Sequence, residues 1–186
     1  MDKIKVLVKK IHEDAVIPRY AHEDGDVGMD MTAVSMEYDV ERDMYVYHTG
    51  LAFESDVNVG QFLFLRSSNR NTDAYLCNGV GIADSAIYRG EILFCFKNRT
   101  SLDMMTLNNT IRECASDGDF KFFNDCYEST KEQLIENAKQ GLYAPYKVGD
   151  RIGQMVFLRH PKVELIEVEE LHDSSRGTDG FGSSGK

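Results

Sequence analysis

The feature that most constrains this chain is a series of short apolar segments rich in β-forming residues and separated by Gly, Asn and Asp. Runs of this length and composition, bounded by turn-forming residues, predict β-strands rather than helices. Two of them, 4–9 and 163–168, alternate apolar and polar residues with small departures, as a half-buried strand does. The others are 61–65, 91–96 and 154–158. The sequence therefore predicts a mostly β fold, a sandwich or a barrel.

Residues 98–146 interrupt this pattern, because the chain turns polar there and contains a helical signal. Within them, residues 129–140 predict a helix with one apolar face. Ser129 and Glu132 have the spacing of a capping box, and Gly141 suits the C-terminal stop. We therefore expect a partly helical insertion in a β domain.

The last segment, residues 173–186, is rich in Gly and Ser. Such a tail holds no single conformation unless a ligand or partner orders it. Its end matches GxGxxG and most of a P-loop, but both motifs require a strand before and a helix after, so we reject both interpretations. Residues 1–172 are accordingly predicted to form the β domain, and residues 173–186 a flexible lid.

Composition and charge argue against several classes of protein. The formal net charge of −10 opposes a nucleic-acid binder, because a phosphate backbone requires a basic face. No apolar run reaches the roughly 18 residues that span a bilayer, and the N-terminus lacks a signal-peptide pattern. We therefore expect no membrane association and a cytoplasmic location. The cysteines lack CxxC spacing and the histidines lack an HExxH-like cluster, so neither a zinc site nor a disulfide framework is expected.

Two segments carry side chains that suit an anion. A predicted strand ends in Arg66, Ser67 and Ser68, which offer a guanidinium fork and short donors. Residues 25–33 form a Gly- and Asp-rich turn that contains Asp30 and does not meet the EF-hand pattern. Taken alone, each segment is more typical of an ordinary solvated turn.

A third segment combines a glycine-rich turn with a carboxylate. Asn78, Gly79 and Gly81 predict a tight hairpin whose backbone can approach a ligand closely. Asp84 follows at the end of this hairpin, where a carboxylate could act as a general base. The alternative is an aspartate that caps a turn.

Five segments follow one another along the chain: GMDM (28–31), LRSS (65–68), NGVGIADSAIYRG (78–90), GDRIGQ (149–154) and RGTDGFGSSG (176–185). In content and order they resemble the five motifs of the trimeric dUTPase family, and agreement in that order is improbable by chance. The resemblance covers residues 1–97 and 147–186. It implies a jelly-roll-like or distorted-barrel subunit and a homotrimer with active sites at its interfaces.

The resemblance also implies a reaction: hydrolysis of dUTP to dUMP and pyrophosphate, which lowers dUTP and supplies dUMP for dTMP synthesis. Asp84 would activate a water that attacks the α-phosphate. Tyr88 would pack under the deoxyribose, and Phe181 would stack on uracil. Mg²⁺ would be held by the phosphates and water, with no direct protein ligand, and Asp30 and Asp150 would support the site. The other implied substrate contacts are Arg66, Ser67, Ser68, Asn78, Gly79, Gly81, Gln154, Arg176, Gly182, Ser183 and Ser184.

Three features depart from the family pattern. Asp84 and Tyr88 are four positions apart where the family has three, so a residue is inserted between the base and the sugar contact. Asp179 stands where the tail motif has Gly, which places a negative charge near the phosphates. Residues 98–146 are far longer than the family's connection.

Two other functions are left open by the sequence. A dCTP deaminase shares the fold and the Arg-Ser-Ser segment, but it normally has Glu at the position of Asp84. The Tyr88-Arg89-Gly90 run and the Gly-Phe-Gly tail favour a dUTPase instead. The second is a catalytically idle protein of the same fold that binds nucleotide or a protein partner.

Overall fold

The computed structural model describes residues 3–84, 86–117, 123–175 and 178. Ten strands and two α-helices lie within them, α1 being Leu102–Asp117 and α2 Phe123–Lys139. The strands are β1 Leu7–Lys10, β2 Met29–Thr32, β3 Ser35–Asp39, β4 Met44–His48, β5 Leu51–Glu54, β6 Val59–Phe64, β7 Ala74–Leu76, β8 Gly81–Ala83, β9 Leu93–Asn98 and β10 Arg151–Arg159.

Two four-stranded antiparallel sheets form the body. Their strand orders are β2-β10-β6-β8 and β3-β4-β9-β7, and β1 pairs with β5 in a small third sheet. Fully buried aromatic side chains from the second sheet, among them Tyr47, Phe94 and Phe96, pack with Ile152 and Met155 of β10. Burial of these large apolar side chains is the main source of stability. The predicted mostly β fold is confirmed.

Four of the five predicted strands have a counterpart in β1, β6, β9 and β10. The fifth, at residues 163–168, is wrong for the isolated chain: these residues form no strand and all are exposed. An alternating segment becomes a strand only when another edge supplies backbone partners. The described part of this chain supplies none.

The insertion is helical, as predicted, but the helix boundary is wrong at its start. Helix α2 begins at Phe123, so Ser129 lies inside it and does not cap it. A polar pair three residues apart is typical of the exposed face of a helix as well as of its start. Helix α1, which packs against α2, was not predicted from the sequence. The C-terminal stop is confirmed: Gly141 has φ +77 and donates a hydrogen bond to the Ala138 carbonyl (2.9 Å).

Hydrogen bonds link the insertion, which contains α1 and α2, to the β3-β4-β9-β7 sheet. Asp43 accepts a hydrogen bond from the backbone N–H of Leu102 (2.9 Å), and Asn98 donates one to the Tyr143 carbonyl (2.9 Å). Leu134 and Ala138 of α2 are buried in the core. Neither helix in the described ranges has both the length and the apolar composition that a membrane span needs.

Candidate active site

Asp30 in β2 holds three nitrogen donors from two other parts of the chain. Its Oδ1 accepts hydrogen bonds from Arg66 Nε (2.8 Å) and Gln154 Nε2 (3.2 Å). Its Oδ2 accepts one from Arg151 Nη1 (2.9 Å). The strand order explains this meeting, because β10 lies between β2 and β6 and Gln154 is directly opposite both Asp30 and Phe64. Three segments distant in sequence therefore converge.

This cluster lies beside a cavity of about 420 Å³. Such a volume suits a small molecule. The chain carries a net charge of −10, yet three arginines line this cavity. The lining residues are Arg19, Ala21, His22, Gly25, Asp26, Val27, Gly28, Asp30, Arg66, Arg151 and Gln154.

The guanidinium of Arg66 is fixed in position. Besides its ion pair with Asp30, its Nη1 donates to Ser68 Oγ (3.1 Å) and to the Arg151 carbonyl (3.4 Å). The Asp30 and Arg66 side chains are each only about one-fifth exposed. An ion pair that is mostly buried and has several hydrogen bonds keeps its geometry better than a surface pair, so the nitrogen donors of the cluster are held in fixed positions.

The turn after Arg66 is tied to the end of the insertion. Ser67–Asn71 form a 3-10 helix, and Tyr146 donates a hydrogen bond to Asn69 Oδ1 (2.9 Å). Burial raises the pKa of the Tyr146 hydroxyl, and Arg66 opposes this rise. The hydroxyl therefore stays protonated at neutral pH and remains a donor.

Asn78 and Gly79 lie in the tight turn between β7 and β8. The predicted hairpin is wrong, because β7 pairs with β9 in one sheet and β8 pairs with β6 in the other, so this turn carries the chain from one sheet to the next. Gly79 has φ +66, and its N–H donates to the Leu76 carbonyl (2.9 Å), which closes a tight turn. A Cβ at Gly79 would meet no atom within 4 Å, so its surface is open to a ligand. At Gly81, in contrast, there is little room for a side chain, since a Cβ there would lie 3.0 Å from Leu63 Cβ.

Asp84 is exposed and begins a turn that leads to Tyr88. Its carbonyl accepts hydrogen bonds from the N–H groups of Ile87 (2.9 Å) and Tyr88 (2.7 Å). These two bonds accommodate the extra residue between Asp84 and Tyr88. The Tyr88 hydroxyl donates to the Glu91 carbonyl (3.0 Å), and the ring lies over Gly90, where a Cβ would collide with it.

Asp84 and the Asp30 cluster lie apart within one chain. Ala83 is opposite Gln61 in the β6–β8 register, so Asp84 is level with Gly60 at the start of β6. Arg66 follows the other end of β6, about 20 Å away at the rise of an extended strand. The residues that line the cavity include none of Asn78, Gly79, Gly81, Asp84 and Tyr88.

The remaining site residues are distributed as follows. Asp150 accepts a hydrogen bond from the Lys147 N–H (2.8 Å) and so shapes the turn before β10, away from the cavity lining. Ser67 is exposed on the first turn after Arg66. In the part of the chain that the structure describes, no three His, Cys, Asp or Glu side chains gather as metal ligands would. The tail residues Arg176, Asp179, Phe181, Gly182, Ser183 and Ser184 lie outside the described residues.

Sequence reasoning did not single out Arg151, although it lies within the GDRIGQ segment, and it missed two further cavity side chains, Arg19 and His22. Both belong to the irregular loop before β2, where neither a strand nor a helix period marks which side chains point inward. The one usable signal was an isolated arginine close to the Gly- and Asp-rich turn in an acidic chain.

Solved structures with the same fold are known. The dUTPase of Staphylococcus bacteriophage 80alpha, in complex with dUpNHpp, has a TM-score of 0.64 and 20% identity, with 98% of this chain and 99% of that chain covered. A dUTPase from phage phi11 of S. aureus, whose description mentions a structural Mg(II) ion, has a TM-score of 0.56 and 20% identity over 89% of this chain and 97% of that chain. This likeness shows a dUTPase-like fold.

The chain is also similar in sequence to known dUTPases. A family model described as dUTPase matches residues 138–185. The deoxyuridine 5'-triphosphate nucleotidohydrolase of Helicobacter pylori is 30% identical over 183 residues, which covers 98% of this chain and 97% of the relative. The enzyme of the same name from Desulfitobacterium hafniense is 31% identical over 191 residues, covering 100% and 99%. Identity of this level across both full lengths, together with the shared fold, shows that the chain belongs to the dUTPase family of nucleotide hydrolases.

Proposed function

We propose that this protein hydrolyses dUTP to dUMP and pyrophosphate in a homotrimer, with Mg²⁺ as cofactor. The observation that carries the proposal is the Asp30 cluster. In a strongly acidic chain, one carboxylate fixes Arg66, Arg151 and Gln154 beside a cavity of about 420 Å³. A site of this kind suits a triphosphate, and the substrates in the relatives' names fit it.

The cluster is the proposed phosphate site. Arg66 and Gln154 bind phosphate oxygens, with Ser67 and Ser68 as neighbouring donors. Hydrogen bonds to charged groups contribute about 1.5–3 kcal/mol each, so a few of them account for firm binding. Asp30 is the positioning residue, because each of its oxygens already accepts from the donors it orients. Asp150 supports the site by shaping the turn before Arg151.

Magnesium fits this site through the substrate rather than through the protein. Both Asp30 oxygens are engaged with nitrogen donors, and Asp26 Oδ2 accepts the His22 N–H (2.7 Å). The triphosphate oxygens and water are therefore the proposed Mg²⁺ ligands. Bound there, Mg²⁺ would neutralise negative charge on the phosphates.

The β7–β8 turn and the residues after it are the proposed nucleoside site. Asn78 and the backbone of Gly79 and Gly81 read uracil, and Tyr88 packs against the deoxyribose. Asp84 accepts a proton from a water molecule, whose oxygen attacks the α-phosphorus while pyrophosphate leaves. An exposed carboxylate next to the base site is suited to this role because water reaches it freely.

A homotrimer is the proposed way to unite the two halves. Asp84 and Arg66 lie about 20 Å apart along β6, so the base of one copy works with the phosphate cluster of another. Exposed apolar residues support such an assembly: Val163, Leu165 and Ile166 are 75%, 91% and 77% exposed in the single chain. A partner's edge would also supply the strand pairing that residues 163–168 lack.

The tail completes the proposed site as a lid. Residues 173–186 close over the substrate, with Phe181 on uracil and with Arg176, Gly182, Ser183 and Ser184 on the phosphates. Residues 1–172 then form one β domain with residues 98–146 as its insertion. The products would lower the dUTP pool and supply dUMP for dTMP synthesis.

The test is a substrate panel. Pyrophosphate release is measured from dUTP, dCTP, dTTP and UTP, each with and without Mg²⁺. The proposal expects release from dUTP alone, and only with the metal. Ammonia release from dCTP would establish the deaminase instead. Nucleotide binding without any turnover would show a catalytically idle member of the family.

A further inference from the structure

Two cysteines face each other across the β7–β9 pair. The strands are antiparallel, and the register pairs Leu76 with Phe96. One step further along, Cys77 is opposite Cys95, and its N–H donates a hydrogen bond to the Cys95 carbonyl (2.9 Å). No sequence pattern predicts this pair, because the two residues are widely separated along the chain and lie outside any CxxC spacing.

Both side chains lie on the outer face of the sheet. In β9 the neighbours Phe94 and Phe96 are fully buried, so Cys95 between them faces the other way. In β7 Leu76 is buried, and Cys77 after it is exposed. Directly opposed residues of an antiparallel pair have Cα atoms about 5.5 Å apart, within the separation that a disulfide spans. The Cβ atoms of such a pair are about 4.5–5.5 Å apart and a disulfide brings them to about 3.5–4.5 Å, so the bond requires a small local approach of the two strands.

The two thiols also influence each other electrostatically. Burial raises the pKa of Cys95, and the negative charges of Cys77 and Asp39 add to this rise. Burial likewise raises the pKa of Cys77, while Lys97 opposes it. Both thiols are therefore protonated at neutral pH, and their reaction with an oxidant accelerates as the pH rises.

We propose that Cys77 and Cys95 form a reversible disulfide within one chain when the protein meets a small disulfide oxidant such as glutathione disulfide. The thiolate of one cysteine attacks a sulfur of the oxidant and releases the first small thiol. The second cysteine attacks this mixed disulfide and releases the second thiol. The protein loses two electrons and two protons in forming the disulfide. The oxidant gains them when it is reduced to two small thiols.

The bridge links the start of the β7–β8 turn to β9. Cys77 directly precedes Asn78, and the turn closes at Gly79. A covalent link to β9 restricts the opening of β7 and the turn that follows, since it removes conformations from the loop between the two cysteines. This consequence concerns the β7–β8 turn alone and holds whether or not the chain hydrolyses dUTP.

The test uses the full-length chain, incubated with glutathione disulfide at mildly alkaline pH and digested with trypsin without reductant. Cleavage after Arg70, Arg89 and Lys97 places each cysteine in its own peptide, residues 71–89 and 90–97. The expected product is these two peptides joined, with the loss of two hydrogens, and separated again by dithiothreitol. Cys126→Ser, the matched control, keeps the product, and Cys77→Ser and Cys95→Ser each lose it.

A second measurement follows the backbone. Amide hydrogen exchange over residues 76–83 should slow in the oxidised protein and return on reduction, with no such change in Cys95→Ser. The melting temperature should rise reversibly by about 5 °C or more, as expected for closure of a loop of this size. Glutathione attached to Cys77 without the joined peptides, or a bridge only between chains, would overturn the proposal.

Discussion

Asp84 and Arg66 lie near opposite ends of strand β6, although neither residue is part of it. Asp84 is level with Gly60 at the start of β6, and Arg66 follows Phe64 at its end. Strand β6 thus holds the candidate base and the phosphate cluster about 20 Å apart in each chain. In the proposed trimer, the base of one copy and the phosphate cluster of another therefore form one site.

Asp84→Asn tests the base. The amide keeps the size of the side chain but accepts no proton, so kcat for dUTP should fall by about 10²–10⁴-fold. Because Asp84 is exposed, the melting temperature and the affinity for a non-hydrolysable dUTP analogue should change little. Asp125→Asn, an exposed aspartate on α2, is the control and should keep full activity. An Asp84→Asn enzyme with most of its activity would remove Asp84 from this role.

Asp30→Asn tests the positioning of the arginines. The change removes the charge that holds Arg66 and Arg151, so both guanidinium groups lose their fixed positions. We expect kcat/KM to fall by about 10-fold or more and stability to fall by about 1–2 kcal/mol. Steady-state kinetics and thermal unfolding measure the two effects. An unchanged KM and kcat would show that the cluster serves stability alone.

The sequence predicted part of this site and could not predict the rest. The order of the motifs predicted that Asp30, Arg66 and Gln154 belong to one site. A motif identifies site residues by their chemistry and needs no knowledge of the fold between them. Arg19 and His22 escaped notice, since an irregular loop has no period that reveals which side chains point inward.

Other differences arise from tertiary contacts. The alternation in residues 163–168 correctly describes a segment with a strand's preference, but the described chain offers it no partner edge. The start of α2 was misplaced because packing against α1 extends the helix beyond its local signal at Ser129. The small size of Gly81 reflects contact with Leu63, which no local pattern records.

Truncation after Ser174 tests the lid. Removing the tail takes away several proposed transition-state contacts at once, so kcat/KM should fall by orders of magnitude while the trimer stays folded. Light scattering and thermal unfolding check assembly, and kinetics check activity. An unaltered kcat/KM would refute the lid.

Asp179→Gly tests the charge in that tail. A carboxylate near the triphosphate opposes closure, so its removal should leave kcat/KM equal or higher. A severe loss of activity in this variant would show that Asp179 has a positive role.

Gly141→Ala tests the end of α2. Gly141 has φ +77, and a Cβ there would lie 2.9 Å from Met36 Cε. Alanine should therefore cost about 1–2 kcal/mol of stability, measured by denaturant unfolding. Activity per folded molecule should be retained, because the change is remote from both halves of the site. A variant as stable as the parent would contradict the proposed strain.

The central claim, that one copy's base acts with another copy's phosphate cluster, is tested most directly by mixing two inactive variants. Asp84→Asn and Arg66→Ala chains are refolded separately and together, and pyrophosphate release from dUTP is measured. Random assembly into trimers gives about a quarter of the sites an intact Asp84 and an intact Arg66 from neighbouring copies. The account predicts recovery of about that fraction of the parent activity in the mixture. A mixture as inactive as its two components would contradict it.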